Sequence, residues 1–149
     1  MKNTLCSRLL FSLIILSLLS FVAGCGRESK EENFSIGFTV SKLNLSVNEE
    51  LVMEAMLSNR TKRNYDISHA AKIFYFHVAD ESGNEVNEFA MPTINLFSKL
   101  KGETTIPEQY RYIFEKPGKY KVWAIAEFSV GEETTRYHLK TEVMSIEVK

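Results

Sequence analysis

Cysteine is almost missing from this 149-residue chain, occurring only as Cys6 and Cys25. Two thiols cannot build a disulfide framework, so apolar burial must hold the fold together. Histidine occurs three times, at His69, His77 and His138, with spacings that match no metal-ligand motif. No Gly-x-Ser-x-Gly elbow, phosphate loop or His-Glu-x-x-His pair is present. Without a motif that couples a nucleophile to a base, no catalysis and no cofactor are expected. Asp80-Glu81-Ser82-Gly83-Asn84-Glu85 starts like a calcium loop but lacks that loop's sixth-position glycine and terminal glutamate, and a hairpin turn accounts for it. Positive charge is not in excess either. The formal net charge is −1, which excludes an electrostatic footprint for nucleic acid and predicts no polybasic patch for anionic lipid.

The chain does begin with a strongly patterned segment. Met1 to Arg8 carries Lys2 and Arg8 and no acid. Leu9 to Val22 is apolar except for three serines and runs for about 14 residues, the length of a signal-peptide core. A membrane-spanning helix needs about 20. Val22-Ala23-Gly24-Cys25 follows. Leu9 to Cys25 resembles the bacterial lipoprotein signal, which implies cleavage between Gly24 and Cys25 and lipid attachment at Cys25, whose thiol carries a diacylglyceryl group with palmitate among its acyl chains. The expected location is the extracytoplasmic face of the cell membrane. Removing residues 1–24 as a signal peptide takes away Cys6, Lys2 and Arg8. What remains has 16 basic and 19 acidic side chains, a net −3, and one thiol. Two acyl chains on that thiol meet the requirement for stable anchoring that one chain fails.

Residues 25–33 read as the lipidated cysteine and a polar tether, because Gly26 to Asn33 contains no apolar side chain to pack. Residues 34–149 form one domain by size. Period-two alternation begins with Phe34, Ile36, Phe38 and Val40 and resumes at Leu43, Leu45 and Val47. It recurs through Leu51, Met53, Ala55 and Leu57, then in a short strand at Tyr65 to Ile67. Phe74, Phe76 and Val78 share one face of the next strand, opposite Ile73, Tyr75 and His77. Ser68 to Lys72 has room for one helical turn. Glu85 to Leu100 reads as a short strand with a long loop. Tyr110, Tyr112 and Phe114 mark a further strand, and Tyr120, Val122, Ala124, Ala126 and Phe128 another. Turn residues separate them at Gly83-Asn84, Lys101-Gly102-Glu103 and Pro117-Gly118. The last strand, Thr135 to Val148, changes apolar phase near Val143-Met144, which predicts a β-bulge. Seven to eight short strands without a convincing helix argue for an all-β, immunoglobulin-like antiparallel sandwich. Tyr120, two residues before a core position held by Val122, fits a disulfide-free tyrosine corner.

Apolar residues out of phase are the candidates for partner binding. Trp123 and Ile125 point away from the core set of their strand, and tryptophan is favoured at interface hot spots. Phe89, Met91 and Phe97 lie in the long irregular stretch, where a loop on a rigid scaffold commonly binds.

A second resemblance covers roughly half of the domain. Leu57-Ser58-Asn59-Arg60-Thr61, Phe76 to Asp80 with Ser82 to Val86, Lys101-Gly102-Glu103 and Pro117 to Val122 resemble the family of the Bacillus intracellular proteinase inhibitor. That resemblance implies an immunoglobulin-like fold and, as an activity, serine-protease inhibition. The leader and lipobox depart from the family pattern and imply an extracytoplasmic target. The expectation is therefore a non-catalytic binding module at the cell envelope, with a protein or envelope component as partner. The alternatives are an extracytoplasmic protease inhibitor and a small metal-handling lipoprotein that uses the histidines and methionines.

Overall fold

The computed structural model describes residues 33–88, 92, 94–131 and 136–149. The leader, Gly24, Cys25 and the tether through residue 32 lie outside the described residues. The strands are β1 (Phe34–Val40), β2 (Asn44–Leu45), β3 (Glu50–Asn59), β4 (Tyr65–His69), β5 (Phe74–Asp80), β6 (Leu96–Leu100), β7 (Thr105–Ile113), β8 (Gly118–Val130), β9 (Arg136–Lys140) and β10 (Met144–Val148).

One sheet is β1-β3-β7, antiparallel throughout. The other is built on the long β8. One of its edges pairs with β5 and, further along, β4; the other pairs with β9 and β10. β6 extends this sheet beyond β4, and β2 extends it beyond β10 in parallel. The first strand line thus divides between the sheets, β1 in one and β2 in the other. Taken with the split lines β4/β5 and β9/β10, the described segments form seven strand lines, an immunoglobulin-like β-sandwich.

The core follows from the alternation. Leu51, Met53, Ala55 and Leu57 of β3 face Phe74, Phe76 and Val78 of β5 and Val122, Ala124, Ala126 and Phe128 of β8, all of them buried. Phe74 lies directly beside Ala126 and Phe76 beside Ala124, so a large ring neighbours a small side chain at each step. That alternation lets the inner face fill at interior density without strain. The tyrosine corner forms as expected: the Tyr120 hydroxyl donates to the Lys116 carbonyl at 2.9 Å, and Val122 is fully buried in the cysteine's place.

Three local expectations are corrected. Only Asn44 and Leu45 form a strand in the 43–47 region, and Leu43 is half exposed. Hydrogen bonds from Glu147 N to Leu43 O, Lys149 N to Leu45 O and Val47 N to Lys149 O carry the parallel ladder on either side of Asn44 and Leu45, and Asn48, at φ 67°, turns the chain after Val47. Ser68 to Lys72 makes no helical turn. β4 continues to His69, and residues 69–73 then bulge against Glu127 and Phe128 alone. The bulge carries Ile73 into the core rather than onto the outer face. The Glu108 carboxylate of the opposite sheet accepts the Ile73 and Phe74 amides at 2.8 and 3.2 Å.

The last strand is two segments. Lys140 pairs with Ile125 and Met144 with Val122, so residues 141–143 stand opposite Trp123 and Ala124, one extra residue on the β9/β10 side. The expected bulge is present, slightly earlier in the chain. Thr141 repairs it: its amide donates to the Ala124 carbonyl and its hydroxyl accepts the Ala124 amide, both at 2.9 Å. Thr141→Val keeps the shape and removes that acceptor, leaving a buried N–H unsatisfied. It is expected to lower stability by about 1–3 kcal/mol. Urea unfolding should show a lower midpoint at an unchanged slope.

Candidate partner-binding face

β8 places Lys121, Trp123, Ile125 and Glu127 on the outer face of its sheet, because the inner positions are taken by the core set. Cross-strand register then builds a block around them. His77 pairs with Trp123, Tyr75 with Ile125, and Lys140 with Ile125 from the other side. The His77 and Trp123 rings stack with centroids 5.0 Å apart and planes 3° from parallel. The Lys140 ammonium stands 4.8 Å from the Trp123 ring centroid, within cation–π range. Trp123 and Ile125 are both partly buried, and β1 does not cover them, since it belongs to the other sheet.

This block is polar in an incomplete way. His77 Nδ1 meets Glu85 Oε1 at 3.0 Å, yet His77 Nε2 and Trp123 Nε1 are shielded from solvent with no hydrogen-bond partner among the described residues. Native proteins leave few such atoms unpaired, so a pair of them on adjacent rings marks this as an under-satisfied spot.

Phe97 belongs to the same outer face. It pairs with Ser68, which pairs in turn with Ser129 on β8, and its side chain is 75% exposed. Ile94 and Leu96 beside it are also exposed. The same face carries a groove of about 500 Å³, whose walls include Ser68, Tyr75, Glu127 and Arg136 from the sheet and Pro92 and Ile94 from the loop. Two separate stretches of sequence therefore share one surface. Phe89 and Met91 lie outside the described residues. Alternation had already put Tyr75 and His77 on the outer face of their strand, but sequence reasoning missed Lys140 and the strand pairing that sets all three beside Trp123 and Ile125.

The remaining histidines have local partners. His69 bonds Ala70 O and Ser98 Oγ, tying β4 to β6, and His138 meets Glu127 at 3.2 Å. Among the described residues no three His, Cys, Asp or Glu side chains gather as a metal site would require. In the β5 turn the Asp80 carboxylate accepts both the amide and the side-chain NH₂ of Asn84, and these bonds hold its carboxyl below the usual aspartate range. A depressed carboxyl stabilises the fold above its unfolded pKa, and that contribution is lost as pH falls through the folded value. Asn84→Ala is expected to raise the Asp80 pKa toward the ordinary value and shrink this acid-side dependence. NMR titration of the Asp80 carboxyl would read the change.

No family model matches the chain, and no curated protein matches it in sequence. Solved structures do match in shape. A Bordetella pertussis protein assigned as ApaA superposes with a TM-score of 0.52 at 6% identity, covering 77% of this chain and 93% of its own. A second structural-genomics target solved by X-ray crystallography gives 0.51 at 6%, over 80% and 90% of the two chains. A CARDB domain from Pyrococcus furiosus, solved with two metal ions, reaches only 0.44 at 14%, over 77% and 91%. At these identities the likeness of the first two speaks for the sandwich fold alone.

Proposed function

We propose that this chain is a lipoprotein anchored through Cys25 at the extracytoplasmic face of the cell membrane, and that its sandwich is a non-catalytic binding module. The leader, the Gly24-Cys25 junction and the polar tether support the anchor. The observation that carries the binding role is that Trp123, Ile125 and Phe97 all lie on one outer face of the β8 sheet, on which Tyr75 and Ile94 line a groove. Aromatic side chains are enriched at interface hot spots. The partner is a protein of the envelope that meets Trp123, Ile125 and Phe97 with apolar side chains.

Two experiments test this reading. Labelled palmitate should enter the wild-type protein and not Cys25→Ala, and equal labelling of both would end the anchor proposal. Cross-linking in envelope preparations should yield a discrete adduct that Trp123→Ala and Phe97→Ser each diminish. An adduct indifferent to both substitutions would place binding elsewhere. Titration against secreted serine proteases separates this reading from the inhibitor alternative, because a simple binding module leaves their activity unchanged.

A further inference from the structure

The charge balance conceals an asymmetry. Arg60, Lys62 and Arg63 lie in the β3–β4 loop and Lys101 in the β6–β7 loop, far apart in sequence and all exposed. Asn59 joins the loops by donating to Arg63 O at 2.6 Å and Lys101 O at 2.9 Å. Glu103 N donates to Thr61 O and Gly102 N to Asn64 Oδ1. The contact is so close that a Cβ on Gly102 would lie 2.4 Å from the Lys62 carbonyl oxygen. None of the four cations has an ion-pair partner among the described residues.

Glu103 is the one carboxylate within these loops, which leaves them a formal +3. Residues 33–149 carry 14 basic and 16 acidic side chains, so the rest of the domain carries −5. Lys99 and Asp66 alongside form their own pair at 3.5 Å. Glu132 and Glu133 follow Gly131 in sequence and lie outside the described residues.

This end is also where the tether arrives. Arg60 N donates to Asn33 O at 2.9 Å, and β1 starts at the next residue. The eight residue steps from Cys25 to Asn33 span at most about 28 Å, with a root-mean-square length of about 16 Å if flexible. Such a short tether gives the loops a high effective concentration at the bilayer, so even a weak electrostatic contact becomes populated.

We propose that the basic end formed by Arg60, Lys62, Arg63 and Lys101 docks on anionic lipid headgroups of the membrane that holds the Cys25 anchor. The proposal rests on the lipid-anchor reading. Docking stands the strands upright, with the Asp80–Asn84 turn outermost and the Trp123 face turned sideways toward partners in the same membrane.

The test uses the full lipidated protein in vesicles of phosphatidylcholine alone or mixed with phosphatidylglycerol. Lysines are acetylated briefly and located by mass spectrometry. Lys62 and Lys101 should be labelled several-fold more slowly in the anionic vesicles, while Lys116 and Lys119 at the opposite end react equally in both. High salt should abolish the difference, because exposed charges are screened beyond a Debye length of a few ångströms. R60Q/R63Q keeps both reporter lysines and should weaken docking about 25-fold, at about fivefold per cation. Circular dichroism would verify that this variant is folded.

Equal labelling in both vesicle types, protection by inorganic phosphate over zwitterionic vesicles, or protection unchanged in R60Q/R63Q would each overturn the docking. The mass of the N-terminal peptide reports lipidation independently. A lipidated but unprotected protein defeats the docking alone, whereas a protein without lipid defeats the anchor and the docking with it.

Discussion

Phe128→Ala is expected to cost the domain about 3–5 kcal/mol of stability. Phe128 is buried on the inner face of β8. It stacks on Tyr137 with centroids 4.9 Å apart and planes 4° from parallel, and it meets Phe34 edge-on at 5.2 Å and 85°. Phe34 in turn touches Tyr65 and Tyr137 at 5.1 and 5.4 Å. Four rings from β1, β4, β8 and β9 therefore close the sandwich at the end where β1 begins. Truncation removes one of the three rings that the β8 sheet sets against Phe34 of the other sheet and leaves a cavity between the sheets. A domain of this size has about 5–15 kcal/mol of total stability, so the variant would stand near the threshold. Thermal unfolding should shift down by about 12 °C or more. Phe128→Leu keeps most of the volume and is expected to cost substantially less, which separates lost packing from a general intolerance of change.

Asn59→Ala is expected to cost about 2–4 kcal/mol, a large loss for a residue with no apolar bulk. Asn59 is 2% exposed at the end of β3, and its amide is fully used. Nδ2 donates to the Arg63 and Lys101 carbonyls, while Oδ1 accepts from the amide and the hydroxyl of Thr61, both at 2.9 Å. Alanine strands these partners where water reaches them poorly. Asn59→Asp should be no better, because a carboxylate turned toward two carbonyls replaces attraction with repulsion and buries a charge. Urea denaturation would give the stability change, and hydrogen exchange should show faster loss at Thr61 and Glu103 than in β8. Because Asn59 holds the two basic loops together, the variant should also scatter the cationic end of the domain.

The expectations that held depend on short-range rules. The inner faces of β3 and β8 followed from alternation at Leu51 to Leu57 and Val122 to Phe128. Pleated strands place alternate residues on opposite faces wherever they occur. The Tyr120 corner and the Lys101-Gly102-Glu103 turn were equally readable, since each depends on a few adjacent residues. The bulge was recognisable as a phase change and spans residues 141–143, just before Met144, where Thr141 satisfies the Ala124 amide. Ile73 was misplaced because the bulge that buries it exists only where β4 and β5 meet β8. For the candidate binding face, the phase of β8 identified Trp123 and Ile125, while the irregular stretch identified Phe97 only as a separate candidate.

Composition and local pattern were enough to determine an all-β domain without disulfides, the main inward-facing residues and the expectation of an anchor at Cys25. The tertiary structure decided what meets what. It brought Phe97 onto the surface of Trp123, stacked His77 on that ring, and gathered Arg60, Lys62, Arg63 and Lys101 into a cationic end that the net charge had seemed to exclude. The physical reason is that a sum over the chain contains no distances. Pairing between strands far apart in sequence determines which like charges become neighbours, and that information enters only when the sheets close.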